Sequence, residues 1–130
     1  MNRPAVCFGG PSPEHDISIL TGLQAVRALA EAGNDVVALY WSKTGNWFEV
    51  PSDVEPSEFA DGLPRSAEPV VLQLGDAGGF YRVTKRRKQS QLEISAVVVC
   101  CHGGPGEDGS LQAMFDLASV RYTGPSRSGA

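Results

Sequence analysis

Two stretches, FGGPSPEHDIS (Phe8–Ser18) and CHGGPGEDGSLQ (Cys101–Gln112), decide the fold. Each follows an apolar run of strand length, and each opens a pattern with helical spacing. Ahead of the first stands Pro4–Phe8, ended by Gly9-Gly10. Ahead of the second stands Ala96–Cys101, the most apolar strand candidate in the chain. A short, continuously apolar run is the mark of a strand covered on both faces. In an open α/β sheet the ligand crevice lies beyond the carboxyl ends of the strands. The carboxyl ends of these two strands are therefore expected to be neighbours, with Glu14, His15, His102, Glu107 and Asp108 on one rim.

Working outward, Ser12 is a good N-cap and Pro13 suits a first helical position. Ile19, Leu20, Leu23, Val26 and Ala30 recur at spacings of three and four until Gly33 ends the pattern. Asp35–Trp41 reads as a second strand, so strand, helix and strand predict a crossover and a parallel pair. Ser42–Asn46 is a turn into Trp47–Val50, a hairpin-like excursion. Pro51–Ala67 reads as a surface connection with one helical turn around Ser57–Ala60. Pro69–Leu74 and Gly79–Val83 flank a glycine-rich turn and read as another hairpin. Ser110–Ala118 places Leu111, Met114, Phe115 and Ala118 on one helical face, and Val120–Tyr122 is a short strand. Thr123-Gly124-Pro125-Ser126 resembles a turn and cap leading into a further helix, so Ala130 is expected to fall within a larger architecture. The class is α/β, with a mainly parallel sheet and a hairpin excursion.

The chain has 130 residues, 42% hydrophobic and 20% charged, which matches one globular domain with its own core. No apolar run approaches the roughly 20 residues of a membrane span, and the N-terminus lacks a signal peptide's pattern, so a cytoplasmic location with no membrane partner is expected. The net charge of −4 argues against nucleic acid. Cys7, Cys100 and Cys101 lie in apolar runs and are expected to be reduced, largely buried and used for packing. Lys85–Lys88 reads as a solvated basic loop, since no aromatic residues interleave it.

A glycine-rich turn at a helix N-terminus ordinarily suits phosphate, because unpaired N–H groups and the helix dipole attract anions. Glu14 changes that expectation. Its carboxylate in the first turn repels phosphate and favours an ammonium group, while by itself it also complements the dipole, worth about 0.3–1 kcal/mol. The full G-x-G-x-x-G spacing is absent, which sets a dinucleotide aside. His102, among Gly103, Gly104 and Gly106, suits either a hydrogen bond to a carboxylate or a structural role. Glu107 is read as orienting a neighbour, and Asp108 as holding an imidazole or a cation or as capping the following helix. His15 is read as solvated in the first helical turn rather than as a ligand. Ser18 is read as a helix hydroxyl facing the loop. Two histidines and no C-x-x-C give poor support for a metal, and no nucleophilic triad is visible.

The segments GGPSPEHDIS, HGGPGEDGSLQ and YTGPS, in this order and spacing, closely resemble the N-terminal domain of D-alanine:D-alanine ligases, of the ATP-grasp superfamily. The match runs from the first strand to Pro125 and is weakest between Trp41 and Gln91. The resemblance implies a Rossmann-like, three-layer domain ahead of central and C-terminal domains that grip ATP and Mg2+, neither of which this chain contains. By motif match, Glu14 anchors the ammonium of the first D-alanine, His102 helps bind that substrate, Glu107 supports it and Ser18 fixes the loop. The family often has a basic residue after Gly-Gly and a small polar residue before the glutamate, where this chain has Pro11 and Pro13. The residues Ser126–Ala130 also differ from the more apolar stretch usual there. The resemblance thus implies a substrate-positioning domain spanning 1–130, with no catalytic residues, cofactor or metal of its own, weak or absent D-alanine binding alone, and a homodimeric parent in peptidoglycan precursor synthesis. Two rivals stand beside it: a domain of an ATP-grasp ligase for another amino or hydroxy acid, and a non-enzymatic small-molecule-binding or interaction domain of the same fold.

Overall fold

The structure, a computed structural model, describes residues 3–83, 89–104 and 109–123. Lys85–Lys88, Glu107, Asp108 and the turn and tail from Gly124 onward lie outside the described residues. Strands β1 (Arg3–Gly9), β2 (Val37–Trp41), β3 (Trp47–Val50), β4 (Glu68–Gln73), β5 (Gly79–Val83), β6 (Gln89–Gln91), β7 (Ile94–Val99) and β8 (Tyr122–Thr123) form one sheet. Their order is β6-β5-β4-β3-β2-β1-β7-β8. The core, β2-β1-β7-β8, is parallel, as expected; β3 to β6 extend it antiparallel. The expected neighbours are in place, with Cys7 of β1 opposite Val99 of β7.

Helix α1 (His15–Glu31) covers one sheet face and α2 (Ser110–Leu117) the other, giving three layers. Along β1 the side chains alternate between them. Val6 and Phe8 pack with Ile19, Leu23 and Val26 of α1, whereas Ala5 and Cys7 pack with Leu111 and Phe115 of α2. This two-sided burial is why β1 and β2 read as unbroken apolar runs. On the α2 side Trp41 and Trp47 stack with centroids 5.0 Å apart, and Phe80 and Phe115 complete the aromatic layer.

The helix starts later than expected. Ser12 and Pro13 form a turn closed by His15 N–H on the Ser12 carbonyl (3.2 Å), and Glu14 occupies the N-cap position. The Ser12 hydroxyl still accepts from the Glu14 N–H, at 3.0 Å. At the other end Gly33, with φ +95°, bonds back to Ala30 while Asn34 bonds back to Leu29. That is the paired arrangement of a left-handed glycine stop. Two expected core positions are wrong: Leu20 is 52% exposed and Ala30 is also exposed. The buried stripe runs instead through His15, Ser18, Ile19, Gly22, Leu23 and Val26.

Other boundaries shift by one or two residues. The strand expected at Asp35–Trp41 starts at Val37, the one expected at Ala96–Cys101 is Ile94–Val99, and Val120–Tyr122 gives way to Tyr122–Thr123. Cys7 and Cys101 are buried, whereas Cys100, just past the end of β7, is only half-buried. All three are free cysteines. Burial pushes the Cys7 and Cys100 thiols up, which keeps the reactive thiolate scarce. The connection after β3 contains one 3-10 turn at Pro56–Phe59. Among the described residues no helix is long and apolar enough to cross a membrane.

Candidate functional site

The site is built where β1 and β7 end beside the first turns of α1. Ser18 joins all three. Its hydroxyl accepts from the Gly9 N–H (2.8 Å) and donates to the Cys100 carbonyl (2.6 Å), tying the loop after β1 to the loop after β7. Ser12 makes a second tie by donating to the His102 carbonyl at 2.6 Å. The loops touch closely, and a glycine stands between them. A Cβ on Gly103, where φ is +67°, would lie 3.0 Å from Ser12 Oγ and 3.3 Å from Glu14 Oε1. The Glu14 carboxylate therefore rests against the second loop, one residue from His102.

Glu14, Ser18 and Thr21 are spaced to share one side of α1. Thr21 Oγ1 donates to the Ile17 carbonyl and lies 3.3 Å from His102 Nε2. With its own proton committed, the Thr21 hydroxyl accepts from a protonated Nε2, which fixes how the imidazole is turned. Glu14 is exposed and His102 half-buried. Glu14 and Asp16 place two carboxylates at the positive end of α1. That satisfies the helix dipole with protein charge and leaves the rim suited to a cation rather than a phosphate.

His15 departs from expectation. It is 3% exposed rather than solvated. Nδ1 lies 2.7 Å from the Gly10 carbonyl and Nε2 2.8 Å from the Tyr40 hydroxyl, so the imidazole belongs to the scaffold behind the loop. The N-cap of α2 is Gly109, with φ +95°, rather than Asp108. Among the described residues no group of three or more His, Cys, Asp or Glu side chains could hold a metal ion. Three contributors escape a reading of the sequence: Ser12 as a bridge, Thr21 as the partner of His102, and Tyr40 as the partner of His15. Thr21 carries a usable signal, since it lies seven residues after Glu14 on the same helical side. Tyr40 carries none, because its place depends on the register that sets it opposite Phe8.

A separate cavity of about 670 Å³ lies beyond His15, lined among others by Ile19, Leu20, Tyr40, Phe48, Phe59 and Leu63. Neither Glu14 nor His102 lines it.

A parallel α/β core that gathers an acid, an imidazole and two glycine-rich turns beyond its strand ends has the form of an open α/β domain with its crevice at the carboxyl ends of the strands. Residues 3–125 match the model of the D-ala D-ala ligase N-terminus, and the chain belongs to that family. It is 36% identical over 129 residues to a D-alanine--D-alanine ligase of Bifidobacterium animalis subsp. lactis, with 94% of this chain and 34% of that protein covered. A D-alanine--D-alanine ligase of Leptospira interrogans is 35% identical over 126 residues, covering 95% and 34%. Among solved structures, the D-alanine-D-alanine ligase from Coxiella burnetii superposes with TM-score 0.74 at 26% identity, covering 97% of this chain and 36% of that one. The VanG D-Ala:D-Ser ligase from Enterococcus faecalis gives 0.71 at 27%, covering 98% and 37%. The chain thus spans about a third of the length of the curated relatives it matches.

Proposed function

We propose that this chain supplies the first-substrate half-site of an ATP-dependent D-alanine:D-alanine ligase that works in the cytoplasm on peptidoglycan precursors. Glu14 anchors the ammonium of the first D-alanine, and His102 helps bind the same substrate. Ser18 holds the two loops together, and Glu107 and Asp108 support the second loop. The observation that carries this reading is the Glu14 carboxylate set against Gly103 at the positive end of α1, one residue from His102. A carboxylate there attracts an ammonium group and turns a phosphate away.

The described residues offer no donor set for a metal ion. On this reading ATP and Mg2+ are held by further domains of the parent, which would be a homodimer. ATP there supplies activation of a carboxylate; this chain's residues hold the amino acid still while that happens. Replacing Glu14 by Gln keeps the shape and removes the charge. Losing a charged hydrogen-bond partner costs about 1.5–3 kcal/mol, or roughly ten- to a hundredfold. In the complete protein that carries this chain, E14Q is expected to raise the KM for the first D-alanine by that factor while the KM for ATP stays put. Steady-state kinetics with each substrate varied in turn decides it, and an unchanged KM for D-alanine would remove Glu14 from the role.

A second reading is favoured by the likeness to the VanG D-Ala:D-Ser ligase. If the first domain is shared between ligases with different second substrates, this chain fixes the first substrate and leaves the second open. Turnover of D-serine or D-lactate in place of the second D-alanine separates the two.

A further inference from the structure

We propose that His15, clamped between the Gly10 carbonyl and the Tyr40 hydroxyl, is a positioning residue that sets where Glu14 carries its carboxylate. The inference rests on the reading of Glu14 as the ammonium anchor and extends it to two residues that face away from the substrate rim.

A carbonyl only accepts, so the 2.7 Å contact to Gly10 requires the proton on His15 Nδ1. Nε2 then accepts from the Tyr40 hydroxyl at 2.8 Å. Burial and the nearby Asp16 carboxylate hold the Tyr40 phenol above its ordinary pKa, so it keeps the proton that it donates. The two rings also meet edge to face, with centroids 5.4 Å apart. The Gly10 carbonyl thereby fixes the tautomer of the imidazole and Tyr40 its tilt.

From His15 the constraint passes through one shared atom. The Gly10 carbonyl accepts from His15 Nδ1 and also from the Ser12 N–H, at 2.9 Å, so both its lone pairs are used. Ser12 is the residue that donates to the His102 carbonyl and accepts from the Glu14 N–H. Moving the Gly10 carbonyl therefore moves the residue that sets both halves of the site. Space around the turn is tight as well. A Cβ on Gly9 would fall 2.4 Å from the Trp41 carbonyl and 3.1 Å from His15 Cε1. The Gly10 N–H donates to that same Trp41 carbonyl at 2.7 Å. The turn is pinned to the end of β2 on one side and to the imidazole on the other, with no slack between them.

Three variants of the complete protein, run beside E14Q, test this. Y40F deletes only the hydroxyl that donates to Nε2. H15Q places its amide where Nε2 was and loses the bond to Gly10, whereas H15N keeps an N–H at the Nδ1 position. H15Q is expected to raise the KM for the first D-alanine about three- to tenfold, with kcat and the KM for ATP within about twofold; Y40F and H15N, which both lose the Tyr40 contact and keep the N–H toward Gly10, are expected to raise it about two- to threefold. If E14Q raises that KM and Y40F and H15Q do not, the inference falls and the Glu14 reading stands. If E14Q, Y40F and H15Q all leave it unchanged, both fall. If H15N is as harmful as H15Q, His15 acts by packing volume and the inference falls. A measurement on this chain stands apart from catalysis: Y40F is expected to shift the amide resonances of Ser12, Glu14 and Gly103 in 1H–15N spectra, and unmoved resonances there would overturn the proposal.

Discussion

Ser18 illustrates how much one hydroxyl settles in this molecule. It is fully buried, yet it satisfies a donor on Gly9 and an acceptor on Cys100. Replacing it with Ala leaves both backbone groups without that partner. An unsatisfied buried group costs about 1–3 kcal/mol, and Cys100 is half-buried, so a total loss of about 2–4 kcal/mol is expected for S18A. Urea unfolding measures it; a loss below about 0.5 kcal/mol would mean that water replaces the hydroxyl on both sides. The helix pattern placed Ser18 facing the loop, and the sequence went no further. Glu14 was expected in the first turn of the helix and stands instead at its N-cap, where a carboxylate still complements the helix dipole. His15 was misread because its partners, Gly10 and Tyr40, are brought to it by a turn and by a parallel register that no local pattern encodes.

At the scale of elements, α1 is governed by its closest approach to β1. A Cβ on Gly22 would lie 2.3 Å from Phe8 Cβ, and Phe8 is fully buried and packed between Tyr40 and Phe59. In an exposed helix Ala in place of Gly gains about 1 kcal/mol. Here overpacking opposes that gain and costs typically about 1–3 kcal/mol, more when the neighbour cannot yield. G22A is therefore expected to lower thermal stability, and a raised melting temperature would show that α1 can lift off the sheet at no cost. Glycine within an apolar helical pattern was the readable sign of such an approach. Helix and strand identities followed from periodicity, because two covered faces demand unbroken apolar strands between amphipathic helices. Less was available for β6, whose Gln-Ser-Gln sequence owes its pairing to β5 rather than to its own residues. The error at Leu20 is geometric: it sits next to Ile19, and a rotation of about 100° per residue carries it from the core to the surface.

For the molecule as a whole, the relevant fact is that it spans about a third of the length of its curated relatives, whereas the chemistry proposed above joins two reactants. Holding two reactants in register converts a bimolecular step into an effectively intramolecular one, a term worth about 7–11 kcal/mol of barrier. On the reading proposed above, the rim with Glu14 and His102 positions the first of the two reactants. Affinity is limited in the same way. A charged hydrogen bond contributes about 1.5–3 kcal/mol, whereas a dissociation constant of about 1 mM already requires about 4.1 kcal/mol after the cost of immobilising the ligand. The 130-residue chain is therefore expected to bind D-alanine more weakly than about 1 mM, and to release neither ADP from ATP nor D-alanyl-D-alanine from D-alanine. An NMR titration with D-alanine, followed at Glu14, His102 and Gly103, checks the first point, and a coupled ADP assay with product chromatography checks the second. Saturation at micromolar D-alanine would mean that the two loops already form a whole pocket, and D-alanine-dependent ADP release by the purified chain would mean that a nucleotide site exists within these residues.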